Sequence, residues 1–95
     1  MERGGAVDAV VNWYATHSTS LTNTNRLVSE DNKGCAEYAL ERLDHGVHLT
    51  AQQRAEFVGA FANSNSGDIS PNLNLSPGSG PTDDEFENTR EIGTR

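Results

Sequence analysis

The side chains best suited to chemistry in this sequence are one cysteine and three histidines. Cys35 falls within a predicted helix near its packing face, where a small buried thiol is inert. Glu41 and His45 are four residues apart, which places one carboxylate and one imidazole on the same helix face. A metal site would need a further ligand from His17 or from a second chain. The sequence therefore predicts a protein that is not an enzyme, with no catalytic residue, no metal and no cofactor.

Two consecutive helix patterns occupy residues 32 to 62. In the first pattern, apolar residues recur at intervals of three and four, which lines one face of a helix. These residues are Ala36, Ala39, Leu40 and Leu43. Gly46 suits the left-handed residue that commonly closes a helix. The first helix is therefore expected to end there.

A second helix is predicted to start at Thr50, because Thr50 and Gln53 have the spacing of a capping box. Its apolar stripe contains Ala51, Ala55, Val58 and Ala62, and Phe57 and Phe61 widen it. The connection between the two patterns is short enough to make the helices antiparallel neighbours. The predicted centre of the fold is an antiparallel helical hairpin.

The residues before this hairpin complete a predicted body at positions 1–62. Val7, Val10, Val11 and Tyr14 again follow helical spacing, although β-branched valines leave a strand open as an alternative. Trp13 is either the lid of a small core or an anchor for a partner. The polar tract from residue 16 to residue 25 is predicted to be a loop. The expected fold class is all-α, with three or four helices.

Residues 63–95 have a different composition and are predicted to form a long, extended, acidic tail. Only five of these 33 residues are apolar: Ile69, Leu73, Leu75, Phe86 and Ile92. Such a segment buries too little surface to offset the entropy of ordering its backbone, so alone it should be disordered.

Two pieces of the tail are candidates for binding a partner. Leu73 and Leu75 share one face of an extended segment bracketed by prolines. A short helix is expected at 82–92, because a capping-box pattern follows Pro81. Phe86 lies there among the acidic residues Asp83, Asp84 and Glu85. The alternative interpretation is a solvated tail that keeps the protein in solution.

The formal net charge of −7 excludes some classes of partner. Direct nucleic-acid binding needs clustered Lys and Arg, which are scattered here, and the same argument disfavours anionic membranes. No apolar run approaches the length of about 20 residues that spans a bilayer. The expected location is the cytoplasm, or a virion assembled there. Because so small a core is marginal, the body is expected to form a homo-oligomer or to bind a larger assembly.

The leading functional hypothesis is a non-enzymatic docking or assembly subunit, such as a phage or virion accessory protein, whose tail straps onto a protein partner. Its binding residues would be those of the tail together with Trp13. The alternative is an acidic inhibitor, such as an antitoxin or a phage-encoded blocker, whose carboxylates occupy the basic groove of a nucleic-acid enzyme.

Overall fold

The chain combines short strands with two helical regions in a computed structural model that describes residues 2–47 and 56–95. Strands β1 and β2 form one sheet, β3 and β4 form another, and α1 continues directly into a π-helical segment. The elements are β1 (Glu2–Arg3), β2 (Ala6–Val7), β3 (Ala9–Trp13), α1 (Asp31–Tyr38), the π segment (Ala39–Asp44), β4 (Val58–Ala62) and α2 (Glu85–Gly93).

The first two strands form an antiparallel hairpin around a pair of glycines. Gly4 and Gly5 both have positive φ angles, of 60° and 84°. Two consecutive left-handed residues match the twist of a tight hairpin, and glycine adopts this conformation without a steric penalty. The paired glycines therefore direct a chain reversal.

Strands β3 and β4 pair in parallel, and their register runs from Ala9 opposite Val58 to Trp13 opposite Ala62. The helix predicted from Val7 to Tyr14 is therefore wrong, and the strand alternative is the observed one. The consecutive β-branched residues Val10 and Val11 favour extended backbone, and pairing with β4 outweighs the helical spacing.

The predicted second helix is also not observed where the structure describes it. Residues 48–55, including its proposed cap Thr50, lie outside the described residues. Residues Val58–Ala62 form β4. A short apolar run of this kind fits a strand as well as a helix, and pairing with β3 decides between them. The all-α body built on a helical hairpin is therefore wrong.

The first predicted helix is present as α1 and the π segment. Gly46 follows it with a φ angle of 66°, which confirms the left-handed residue expected there. His45 forms the C-terminal cap of the π segment, and its ring stacks on Phe57 with a centroid distance of 3.6 Å. This stack joins the end of the helical region to the residue that precedes β4.

Two glutamates attach this helical region to the edge of β4. The Gly59 amide donates to the Glu41 carboxylate at 2.9 Å, and the Phe61 amide donates to the Glu37 carboxylate at the same distance. Residues four apart on a helix and two apart on a strand match in spacing, so both bonds form together. A β-carbon at residue 59 would lie 3.1 Å from a methyl group of Leu40, so glycine permits this close approach.

Residues after β4 fold back onto the helix. Asp84 caps α2 by accepting hydrogen bonds from the Phe86 and Glu87 amides, so the predicted short helix exists and begins at Glu85. Gly93 lies against α1, where an added β-carbon would be 2.7 Å from the β-carbon of Cys35. The extended tail expected in this region is therefore wrong as a fold, whereas the domain division after residue 62 stays a prediction.

The loop before α2 is held by a fully buried asparagine. The Asn88 carboxamide accepts from the Thr82 amide at 2.7 Å and donates to the Thr82 carbonyl at 3.0 Å. Gly80 packs directly on this side chain, where any β-carbon would collide with it. Polar side chains thus order this part of the chain, although it has little apolar surface to bury.

The pH dependence of folding should carry a contribution from Glu37. Burial raises the pKa of its carboxyl above the ordinary 4.5, an effect that the Phe61 amide opposes and that neighbouring Glu30 and Glu41 add to. A raised pKa means that the folded state binds the proton more tightly. The contribution of Glu37 to stability is therefore fully present below pH 4.5 and is lost as the pH rises through the raised pKa.

We expect Glu37→Gln to remove this loss and still to accept the Phe61 amide through its carbonyl oxygen. Urea unfolding measured between pH 4 and pH 8 should show that the variant loses less stability over this range than the unaltered chain. Glu37→Ala, which removes the acceptor, is the control and should destabilise at every pH. An identical pH slope for Glu37→Gln and the unaltered chain would contradict the assignment.

Candidate functional site

Two loops meet beside the parallel strands: the first connects β3 to α1, and the second connects β4 to α2. They bring His17 of the first loop close to residues 67–72 of the second. The His17 amide donates to the Ile69 carbonyl at 3.2 Å, and the His17 ring Nε2 lies 3.0 Å from the Gly67 carbonyl oxygen. Because a carbonyl can only accept, Nε2 carries the hydrogen in this arrangement. In the neutral ring, Nδ1 then has a lone pair available for a proton or a ligand.

Asp31 holds the loop that carries His17 against the start of α1. Its buried carboxylate accepts hydrogen bonds from the amides of Ser20 at 2.9 Å, Leu21 at 2.8 Å and Asn32 at 2.6 Å. Asp31 also has a φ angle of 59°, a left-handed conformation that non-glycine residues rarely adopt. Such backbone strain persists where surrounding contacts over-determine it, as these three bonds do here.

The next residue, Asn32, extends this attachment. Its buried side-chain amide donates to the His17 carbonyl at 3.0 Å and to the Ser20 hydroxyl at 2.9 Å. His17 is therefore fixed on both sides, by Asn32 through its carbonyl and by the segment around Ile69 through its amide. A histidine whose backbone is held in this way has a defined position for its ring.

Ser70 lies in the second loop, and its hydroxyl accepts a hydrogen bond from the Asn72 amide at 3.1 Å. Asn72 in turn donates from its side chain to the Thr19 carbonyl at 3.3 Å and accepts from the Gly78 amide at 3.2 Å. The two loops are thus joined at both ends of the segment from residue 67 to residue 72. Ser70 is half-buried, so its position is fixed while part of it stays accessible.

Ser70 also lines a cavity of about 620 Å³. This volume falls within the range of roughly 300 to 1,000 Å³ that is typical of small-molecule sites. The wall is mixed, with apolar side chains from the second loop, from β4 and from α2, and with polar groups that include Lys33 and Arg95. The Lys33 ammonium donates to the Tyr14 carbonyl at 3.0 Å, which directs this cation across the end of β3.

Glu85 anchors α2 to the same loop region. Its carboxylate accepts from the Thr22 amide at 2.6 Å. The pKa of Glu85 is lowered by its hydrogen bonds to the side chain and to the backbone of Thr22. Sequence patterning assigned Glu85 to partner binding, whereas the structure gives it an internal contact.

The other residues predicted to bind a partner lie on the surface. Leu73 and Leu75 are exposed, but their segment turns twice instead of extending, since Leu75 donates to the Asn72 carbonyl and has a φ angle of 55°. Phe86 and Trp13 are exposed as well. Asp83 and Asp84 are exposed, and Asp84 caps α2. A binding role for these exposed residues stays a prediction.

Sequence patterning missed most of the site. It offers His17 only as a metal ligand and singles out neither Asn32 nor Ser70 as a site residue. The signal that could have indicated part of the site is the polar tract from residue 16 to residue 25, because functional residues often lie on loops that connect regular elements. Within residues 2–47 and 56–95, no group of three or more His, Cys, Asp or Glu side chains could hold a metal ion.

Comparison with known proteins shows that this fold is similar to part of the solved ceramidases. A solved structure of a ceramidase complexed with C2 superimposes with a TM-score of 0.74 and is 50% identical, covering 94% of this chain and 13% of that one. A crystal structure of the neutral ceramidase from Pseudomonas aeruginosa superimposes with a TM-score of 0.69 at the same identity and coverage.

The sequence comparisons agree with the structural ones. The family model described as neutral/alkaline non-lysosomal ceramidase, N-terminal, matches residues 2–95. The neutral ceramidase of Pseudomonas aeruginosa is 50% identical over 95 residues, and that of Mycobacterium tuberculosis is 48% identical over 95 residues. This chain belongs to the neutral/alkaline ceramidase family. It spans 13% of the first relative and 15% of the second.

These comparisons overturn the functional expectations drawn from the sequence. The relatives are named as enzymes, so the prediction of a non-enzymatic docking or assembly subunit is wrong, and so is that of a phage or virion accessory protein. The acidic inhibitor is wrong for the same reason. Among the described residues, no helix has the length and apolar character needed to cross a bilayer.

The attachment of the His17 loop should depend on Asp31. Asp31→Ala would leave three backbone amides without their acceptor, and each such loss in a buried setting costs about 1 to 3 kcal/mol. We expect a loss of about 3 kcal/mol or more, measured by urea unfolding. Asp31→Asn, which keeps one acceptor oxygen and tolerates positive φ, should lose less.

Asp44→Ala is the matched control, because Asp44 is an exposed aspartate at the other end of the same helical region. It should change stability by no more than about 0.5 kcal/mol. Equal stability of Asp31→Ala and Asp44→Ala would show that the carboxylate of Asp31 does not hold the loop.

Proposed function

We propose that this chain forms part of the catalytic region of a neutral ceramidase and takes part in hydrolysis of the amide bond of ceramide. The observation that carries the proposal is 50% identity to the Pseudomonas neutral ceramidase across the whole chain. The same stretch superimposes on a solved ceramidase with a TM-score of 0.74. The alignment covers all of this chain and therefore includes both loops of the candidate site.

The geometry of the loops supports this proposal. Amide hydrolysis by acyl transfer needs a nucleophile and a nearby group that moves protons. Ser70 offers a hydroxyl on the cavity wall, and His17 offers an imidazole on the loop that is bonded to the Ser70 segment. The Asn72 amide donates to the Ser70 oxygen and so favours negative charge that develops on it.

The cavity beside Ser70 has walls that suit an amphipathic lipid amide. Phe61, Ile69, Leu73 and Ile92 provide apolar surface, while Asn12 and Asn32 line the same space with polar groups. The acyl chain of ceramide would pack on the apolar surface, and its amide and hydroxyl groups would bond to the polar groups. In the proposed reaction, the Ser70 oxygen bonds to the amide carbon, the hydroxyl proton leaves to a base, and the carbon–nitrogen bond breaks as the amine departs with a proton. Water then attacks the acyl ester on Ser70, which releases the fatty acid and restores the hydroxyl.

The function is tested by a chimeric enzyme in which this chain replaces the aligned 95 residues of the Pseudomonas neutral ceramidase. The rate of fatty-acid release from ceramide should stay within about tenfold of the rate of the parent enzyme. This limit corresponds to a change of about 1.4 kcal/mol in the activation barrier. The parent enzyme, expressed and assayed in parallel, is the control. A chimera that unfolds as cooperatively as the parent but hydrolyses no ceramide would overturn the proposal.

The role of Ser70 is tested in the same chimera. Ser70→Ala should lower kcat by on the order of 10³-fold or more, as removal of a nucleophile does, with little change in the melting temperature. Ser66→Ala is the matched control, since Ser66 is an exposed serine four residues earlier in the same stretch. Comparable activity of the two variants would remove Ser70 as the nucleophile without bearing on membership of the family.

A further inference from the structure

The two edges of the β3–β4 sheet differ in a way that shows where the sheet can grow. In a parallel pair, alternate residues of each strand direct their backbone groups to the partner. The Val58 amide donates to the Asp8 carbonyl and the Tyr14 amide donates to the Ala62 carbonyl, both at 3.1 Å. The backbone groups of the even-numbered residues of β3 therefore point toward β4. The backbone amides of the odd-numbered Val11 and Trp13 point to the opposite side.

The outer edge of β4 is already occupied. Its outward amides at Gly59 and Phe61 are those that donate to Glu41 and Glu37. A further strand could pair here only by displacing both carboxylates and moving the helical region. Inward-pointing charges and a covering helix are established ways of protecting a sheet edge from additional strands.

The outer edge of β3 has no such protection at Val11 and Trp13. Within the described residues, no group accepts a hydrogen bond from either amide, and the two residues are 54% and 67% exposed. Strand β3 contains no charged residue, and it carries apolar side chains on both faces, with Val10 on the face opposite Val11. Apolar residues on both faces are typical of a central strand that is covered on both sides.

We propose that the edge formed by Val11 and Trp13 pairs with a further β-strand supplied by the remainder of a ceramidase-length polypeptide, which makes β3 a central strand. The matched solved ceramidase has 87% of its chain outside the part covered here, since the match covers 13% of it. A sheet of only two parallel strands is unusual in an isolated fold, so such a long chain is the expected source. This inference rests on family membership and not on the proposed activity.

The test compares amide exchange at alternate residues of one strand. In the chimeric enzyme, exchange mass spectrometry with electron-transfer fragmentation should show Val11 and Trp13 protected to within about tenfold of Val10 and Asn12. In the 95-residue chain alone, Val11 and Trp13 should exchange faster than Val10 and Asn12 by on the order of a hundredfold. The even-numbered neighbours are the matched control, since they share the strand and differ only in direction.

Two outcomes would overturn the proposal. One is fast exchange at Val11 and Trp13 in the chimera while Val10 and Asn12 are protected, which would leave the edge unpaired. The other is protection of Val11 and Trp13 in the 95-residue chain that increases with concentration, which would identify a second copy as the occupant. If the chimera lacks cooperative unfolding, the same alternation is measured in the aligned strand of the unaltered Pseudomonas enzyme, where it decides the question equally.

Discussion

The three hydrogen bonds accepted by the Asp31 carboxylate are the interaction on which the site depends. Two of them fix the turn at Ser20 and Leu21 against the first residue of α1, and the third comes from the Asn32 amide. Asn32, placed by the same turn, then holds the carbonyl of His17. The strained backbone of Asp31 is maintained because each of these bonds would be lost if the residue relaxed to an ordinary conformation. The position of the imidazole is thus set by buried polar contacts.

The helical region that begins at Asp31 also contacts the sheet, because Glu37 and Glu41 accept hydrogen bonds from the edge of β4. One helix therefore connects the loop of the candidate site to the sheet. Because α2 packs on the same helix near Cys35, the wall of the cavity that contains Ile92 and Gly93 is attached to it as well.

Local signals in the sequence predicted the local features correctly and the long-range ones incorrectly. Gly46 and the short helix α2 could be identified because their determinants lie within a few residues, although the cap of α2 is Asp84 and not Thr82, the residue after Pro81. The β3–β4 pair joins residues about fifty positions apart, and no local pattern encodes such a pairing, so Val7 to Tyr14 was assigned by helical spacing instead. The site was missed for the same reason, since the segments that carry His17 and Ser70 are joined by hydrogen bonds between distant loops.

The distribution of apolar residues explains why the predicted helical body with its own apolar core is wrong. Among the described residues, Ala9 and Phe57 are the buried apolar side chains, whereas Trp13, Leu27, Val28 and Leu43 are exposed. Exposed apolar surface on this scale marks contact with other protein. The relatives are several times longer than this chain, so the proposed pairing at Val11 and Trp13 accounts for part of this exposure. Polar contacts centred on Asp31 and Asn88 hold the described fold, while most of its large apolar side chains are exposed.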